Sequence, residues 1–311
     1  MVKCKVFDLS LEMINRSSIA RRLVRGYLFG RARMGRSALK RALLPLLPKN
    51  QVVELEHGLS IHLDLSKTNH QFLFWFYEEH ESSLQWAIKT LLPMGGAFVD
   101  CGANLGLMGL LAIHQRGARV LFIEPHPRLA EMIRQDLELN RFIAQADVCE
   151  AAACHEDGEA PLQVEARSDG GHSMKINPDK KSGPSISVKT CRLETLFKER
   201  AIQHLDFLKI DVEGLEFQVL EGLGSFLDPR RIDVIYVEMG RDCEAAWRRL
   251  VERGYRAFAA NSIYIDRLRQ LERKKDISRF FRPTETPEDG NLLWCAPESP
   301  CEKFLLHACR S

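Results

Sequence analysis

Two short stretches of this chain carry the residue types that chemistry needs. The first, FVDCGANLG (98–106), sets Asp100, Gly102, Asn104 and Gly106 at the end of an apolar run. Glycines there let the backbone turn tightly and approach a ligand, and the helix that follows offers unpaired N–H groups. The next apolar run ends at Glu124, ahead of Pro125, where a carboxylate can accept both hydroxyls of a ribose. Glycine loop, Asn104 and spaced acid together describe a site for a nucleoside-bearing cofactor. Dinucleotide sites want a glycine where Asn104 stands, so that a pyrophosphate can sit on the helix start. Asp100 would repel a pyrophosphate and suits a cation, either an ammonium or a sulfonium. S-adenosylmethionine carries both, and its adenine is expected near Ala153 and Cys154, at the end of the third run.

The second stretch, LKIDVEGLEFQVLEGL (208–223), gathers Asp211, Glu213 and Glu216 around Gly214 at a helix start. Acids in that position interact favourably with the helix dipole, by about 0.3–1 kcal/mol, and Glu216 fits this duty. Asp211, at the carboxyl end of its strand, is placed to face the site. An alcohol is a poor nucleophile until a base takes its proton, and the candidates for that base are Asp211, Glu213, Glu238 and His172. Asp211 leads on position. Glu213 fits helix initiation equally well. His172 has the right intrinsic pKa, although a lone histidine in a loop is usually solvated. His126 reads as a helix-flanking surface residue. Oxygen ligands from Asp211, Glu213 and Glu238 would suit magnesium, but no motif demands a metal and none is expected.

Elements of a definite kind must position these groups. From Gly96 onward, strands (AFVDC, ARVLFIE, ADVCEAAA, LDFLKID, IDVIYVE, YRAFAA, NLLWCA) alternate with helices over 106–115, 127–139, 214–222 and 243–252. Near-continuous apolar strands in such alternation predict a parallel sheet covered on both faces, a doubly wound α/β fold. Between the third and fourth strands, APLQVEA and SISVKTCRL suit an antiparallel pair flanking a Gly-rich loop, 167–184, that would cover a substrate. Ahead of the domain, HQFLFWFYEEHESSLQWAIKTLL (70–92) is aromatic and then helix-like. Its aromatic residues suit the core, while Tyr77, Glu79 or Glu81 would reach the cofactor. VVELEHGLSIHLDL (52–65) alternates like a hairpin. IDRLRQLERKKDISRFF (265–281) reads as a charged helix.

FVDCGANLG, FIEPHP (122–127), HEDGEA (155–160), LKIDVEGLEFQVLEGL and VIYVEMG (234–240), in that order, resemble the FkbM-type S-adenosylmethionine-dependent methyltransferases. The resemblance covers about residues 76–298. It implies a class I methyltransferase fold, a seven-stranded sheet with the last strand antiparallel, and methylation of a hydroxyl oxygen; family substrates include sugars and macrolide-type natural products. On this reading residues 1–69 form a basic helical arm and hairpin cap, 70–298 the methyltransferase domain and 299–311 a tail.

Bulk composition limits the alternatives. The chain has 311 residues and a net charge of +2, so its overall field does not argue for nucleic acid, and a small hydroxylated molecule is the expected partner. Charge is uneven, however: no acid occurs between Glu12 and Glu54, while ten Lys and Arg accumulate over 16–49. That arm suits a solvated appendage or an amphipathic helix lying at the periphery of an anionic membrane. With no long apolar span or secretory signal, a cytoplasmic location is expected. Nine scattered cysteines indicate neither a disulfide framework nor a zinc site. Two rival readings share the fold. A nicotinamide oxidoreductase would need glycine at 104, and a non-catalytic sugar- or lipid-binding domain would tolerate a decayed loop, which this one is not.

Overall fold

The structure, a computed structural model, describes residues 47–55, 58–165, 168–170, 172–174, 184–239, 244–260, 280–281, 283 and 290–310. The basic arm up to residue 46, most of loop 167–184 and residues 265–279 of the expected charged helix lie outside them.

At the centre is a mixed sheet that begins with five parallel strands: β3 (Ala97–Cys101), β4 (Arg119–Ile123), β5 (Ala146–Cys149), β9 (Leu205–Ile210) and β10 (Ile232–Met239). β11 (Arg256–Ala260) and β13 (Gly290–Cys295) complete it, with β13 inserted antiparallel between β10 and β11. The order β5-β4-β3-β9-β10-β13-β11 is the seven-stranded arrangement expected, its last strand antiparallel. One two-residue strand, β12 (Phe280–Phe281), adds to the edge beside β11. These two phenylalanines were expected to end the charged helix. Backbone pairing with Ala259 and Ala260 places them in the sheet instead.

Alternation along each strand explains why the sheet is buried on both sides. Phe98, Val120, Phe122, Phe207, Val234 and Tyr236 enter one hydrophobic core. Their neighbours Val99, Leu121, Ile123, Leu208, Ile235 and Val237 enter the other. Successive strand side chains point to opposite faces, so an apolar residue at every position means two covered faces.

The helices divide between those faces. α1 (Thr68–Phe76), α2 (Ser82–Leu91), α3 (Leu107–Arg116) and α4 (Pro127–Leu139) supply the first core, while α5 (Leu193–Glu199), α6 (Glu216–Gly222) and α7 (Glu244–Glu252) supply the second. The aromatic segment is thus two helices joined by a short 3-10 turn, Tyr77–Glu79. The hairpin of β1 (Asn50–Glu54) and β2 (Ser60–Asp64) shares the first core through Val53, Ile61 and Leu63. It is docked on α4 by His62 N donating to Asp136 Oδ1 at 2.9 Å and by Ser60 N donating to Asn140 Oδ1 at 2.9 Å. The last helix, α8 (Pro300–Arg310), adds Leu305 to that core.

The third apolar run is divided. Its first half is β5; after a turn, β6 (Ala152–Cys154) leaves the main sheet and pairs with β8 (Ser185–Arg192). β7 (Gly158–Gln163) lies antiparallel to β8 on the other side, giving the pair expected around the Gly-rich loop. Among the described residues no helix is long and apolar enough to cross a membrane.

Candidate active site

At the carboxyl ends of β3, β4, β9 and β10 lies a cavity of about 300 Å³. Its wall includes Gly102, Asn104, Leu107, Met108, Glu124, Pro125, Ala153, His172, Asp211, Glu213 and Glu238. Residues from both motifs therefore meet in one space. Three predicted cofactor residues, Asp100, Gly106 and Cys154, do not line it.

The glycine loop is shaped first by the protein itself. Gly102 has φ 74°, and a Cβ there would fall 1.8 Å from the carbonyl oxygen of Asp211. What presses against this backbone is the second motif. Gly102 N and Ala103 N both donate to Ile123 O, at 3.0 and 3.1 Å, tying the loop to the end of β4. At Gly106, φ 70°, a Cβ would meet Ile133 of α4 at 2.9 Å, so this glycine admits a packed helix rather than a ligand.

Asp100 belongs beneath the cavity floor. It is fully buried, accepts a hydrogen bond from Gly109 N at 3.0 Å and thereby caps the amino end of α3. Its other oxygen faces the ammonium of Lys209 at 3.2 Å. The expected direct contact with a cationic ligand is replaced by contact with an internal cation.

Lys209 is a charged residue that sequence reasoning passed over. Only 3% exposed, it donates to Gly102 O at 2.9 Å and lies 3.3 Å from Asp211 Oδ2. Burial alone would lower its pKa, but the charges of Asp100 and Asp211 outweigh that and hold it well above the ordinary lysine value. The signal available was a lysine inside an otherwise apolar strand, where a solitary charge requires partners.

Glu124, 5% exposed, accepts from Asn104 N at 2.7 Å and from His126 N at 2.8 Å. Burial pushes its pKa up to about 7 against the pull of those two N–H groups. Asn104 is held at φ 54°, and its side-chain Oδ1 is buried with no hydrogen-bond partner among the described residues. An unsatisfied acceptor of this kind calls for a donor from a ligand. Ala153, one of the two residues expected near the adenine, lines the cavity together with Ala152. Cys154 faces elsewhere, its carbonyl lying 2.0 Å from where a Cβ on Gly222 of α6 would stand.

Asp211, 23% exposed in its side chain, is the best placed of the predicted bases. Burial would raise its pKa, yet the Lys209 charge and a hydrogen bond with Glu238 outweigh it and hold the group below the usual carboxylate range. Glu238 shows the converse. Its hydrogen bond with Asp211, the Asp211 charge and burial push it up to about 9, so the proton between the two stays on Glu238 at neutral pH. Glu213 lines the wall at φ 55°, while Glu216 accepts from Gly214 N at 2.9 Å and serves its own helix start.

His172 also lines the cavity, but its basic nitrogen is in use. Glu165 N donates to His172 Nδ1 at 3.0 Å, and Nε2 faces Asp169 Oδ1 at 3.5 Å. The ring stacks on His126 at 4.8 Å. This arrangement makes it part of the loop's anchorage and removes it from the candidates for the base. Asp169, which the sequence did not single out, is the centre of that anchorage: Lys67 at 3.3 Å, His70 at 3.0 Å and the Arg128 guanidinium all face its carboxylate. Ser173 Oγ donates to Glu213 O at 2.9 Å, joining the loop to the second motif. Of the three helical residues expected to reach the site, Glu81 does so, from the turn before α2. Tyr77 is buried in the core.

The model of the family described as Methyltransferase FkbM domain matches residues 100–257, just over half of the chain. "Methyltransferase sdnD" of Sordaria araneosa is 25% identical over 187 residues, covering 51% of this chain and 71% of the relative. Solved structures similar to this one include a human methyltransferase 10 domain containing protein, 13% identical with TM-score 0.42, covering 84% of this chain and 96% of that one. Another is M. jannaschii TYW2 in complex with AdoMet, 11% identical with TM-score 0.39, covering 80% and 85% of the two chains.

Proposed function

Because the chain belongs to the Methyltransferase FkbM domain family and is a methyltransferase, we propose that it transfers a methyl group from S-adenosylmethionine to a hydroxyl of a sugar, glycolipid or natural-product-like small molecule. One observation carries the reading: the unsatisfied Oδ1 of Asn104, the carboxylate of Glu124 and the ionised carboxylate of Asp211 belong to a single cavity.

The residues fit the cofactor. Glu124 would accept the ribose hydroxyls, Asn104 and the amino end of α3 would hold the amino-acid portion, and Ala152 and Ala153 would flank the adenine. When bound, S-adenosylmethionine supplies an electrophilic methyl on a sulfonium. The protein's largest contribution is then to hold the acceptor oxygen in line with that methyl at contact distance. Asp211 takes the hydroxyl proton as the C–O bond forms. Lys209 and the protonated Glu238 keep Asp211 ionised beforehand, so the base is ready at neutral pH.

The test is incubation of the full chain with labelled methyl donor and fractionated small-molecule extract. Label on a hydroxyl of a small glycan, glycolipid or related metabolite supports the proposal. Label confined to protein or nucleic acid overturns it.

A further inference from the structure

Beyond β9 the cavity wall is dominated by hydrogen-bond acceptors. Glu81, Asp211, Glu238 and Asn291 line that end. Glu238 and Asn291 are directly opposed across β10 and β13, and Asp211 follows Ile210, the β9 partner of Val237. The three residues thus stand at one end of the sheet, Asp211 and Glu238 at the carboxyl ends of β9 and β10 and Asn291 at the amino end of the antiparallel β13. Asn291 Oδ1 is buried and has no hydrogen-bond partner among the described residues. Glu81 adds a further carboxyl group to the wall, its backbone held at φ 46°.

Among the described residues, basic side chains are few here: Lys209 and His80 face this end. Lys209 is shared between Asp100 at 3.2 Å and Asp211 at 3.3 Å, and His80 Nε2 lies 3.1 Å from Glu81 Oε1. The Tyr236 hydroxyl, a further donor in the wall, is engaged with Ser83 Oγ at 3.0 Å. Glu213 adds another carboxyl to the wall. A proton retained on Glu238 up to about pH 9 is the protein's own substitute for a missing cation.

We infer that the methyl acceptor is a hydroxylated amine, bound with its protonated nitrogen among Glu81, Glu238 and Asn291 while its hydroxyl faces Asp211. An ammonium offers three donors and no acceptor, the complement of a wall where the Oδ1 of Asn291 and the carboxyl groups of Glu81 and Glu238 are within reach. A phosphate or carboxylate acceptor would meet like charge, and a neutral polyol would leave the charge uncompensated. A divalent metal fits less well, because the Lys209 ammonium already faces one of the two strand-end carboxylates it would need. The inference rests on the methyl-transfer reading above and narrows its substrate class.

Calorimetry on the full chain separates the outcomes. S-adenosylhomocysteine is titrated first, and absence of binding counts against the methyltransferase site itself. With that nucleoside saturating, glucosamine, glucose and glucose 6-phosphate are compared at mildly acidic pH, and magnesium chloride is titrated separately. The expected result is glucosamine binding at least about tenfold tighter than glucose, a gain of about 1.4 kcal/mol, with no binding of the phosphate. Glu81→Gln should bring glucosamine towards the glucose value, whereas Glu238→Gln, which replaces an already protonated carboxyl, should change it little; unchanged S-adenosylhomocysteine affinity in both certifies that the variants fold. Equal or undetectable binding of the sugars, preference for the phosphate, or magnesium binding abolished by Glu238→Gln would each overturn the inference.

Discussion

Lys209 Nζ stands 3.2 Å from Asp100 Oδ1 in a place where both side chains are all but removed from water. Through this pair the two motifs become one unit. The same ammonium donates to the Gly102 carbonyl and faces Asp211, so the cofactor loop, the helix cap and the base share one buried cation. Replacing one partner of such a pair leaves an uncompensated charge in the interior, which typically costs about 3–5 kcal/mol.

Lys209→Met is therefore expected to destabilise the fold by about that amount, measured by urea denaturation. The double variant Lys209→Met/Asp100→Asn should regain part of the loss, because it removes both charges. Activity should remain low in the double variant, since Asp211 then lacks the cation that keeps it ionised. Full activity in Lys209→Met would contradict the coupling.

Cofactor affinity should depend on pH through Glu124. Its folded pKa is raised to about 7, so whatever it adds to stability is complete at low pH and is lost as pH rises through that value. Binding runs the other way, because ribose hydroxyls donate to the ionised carboxylate. S-adenosylmethionine should bind progressively more weakly below pH 7, approaching a tenfold loss per pH unit, when followed by calorimetry. Glu124→Gln should bind weakly throughout and show a flat profile over the same range.

Much of this site was legible because the signals are local. Glycines at 102 and 106, Asn104 between them, and acids ending two apolar runs are arranged along a few residues each, and the strand and helix periods around them are strong. Asp100 was misjudged because the choice between cavity and helix cap depends on how α3 sits on the sheet, which its own spacing does not reveal. Gly102 was read as making room for a ligand. Its Cβ would strike Asp211 O, a contact between segments over a hundred positions apart that only the parallel pairing of β3 with β9 creates. Asp169 went unnoticed for a related reason: its partners Lys67, His70 and Arg128 come from the start of α1 and from α4, far away in the chain. The end of β5 was overextended because the run ADVCEAAA is apolar enough for one strand, whereas the turn at Glu150 sends β6 to a different sheet.

The dyad of Asp211 and Glu238 sets the expectation for the rate profile. Asp211 is held below the usual carboxylate range, so it remains ionised and active well into the acid side. Glu238 loses its proton only near pH 9, and the repulsion then disrupts the geometry around Asp211. In the free enzyme, reported by kcat/KM, this predicts an alkaline decline centred near pH 9. Glu238→Gln, which still donates from its amide, should keep Asp211 ionised and erase the decline. An unchanged alkaline limb in that variant would assign the limb to another group.

Asp169 makes a separate prediction about the loop over the cavity. Neighbouring cations and histidines depress its pKa far below the ordinary value, although burial opposes this. With a lowered folded pKa, its stabilisation is present above the unfolded value near pH 4 and is lost only as pH falls through the folded one, so the loop stays anchored at all working pH values. Asp169→Asn keeps the shape of the side chain and removes the charge that gathers Lys67, His70, Arg128 and His172. Hydrogen exchange over residues 168–174 should accelerate, and KM for the acceptor should rise about tenfold with kcat little changed, as for a loss of uniform binding. An equal fall in kcat at constant KM would instead place Asp169 in the transition state, and constant exchange would show that the charge does not hold the loop.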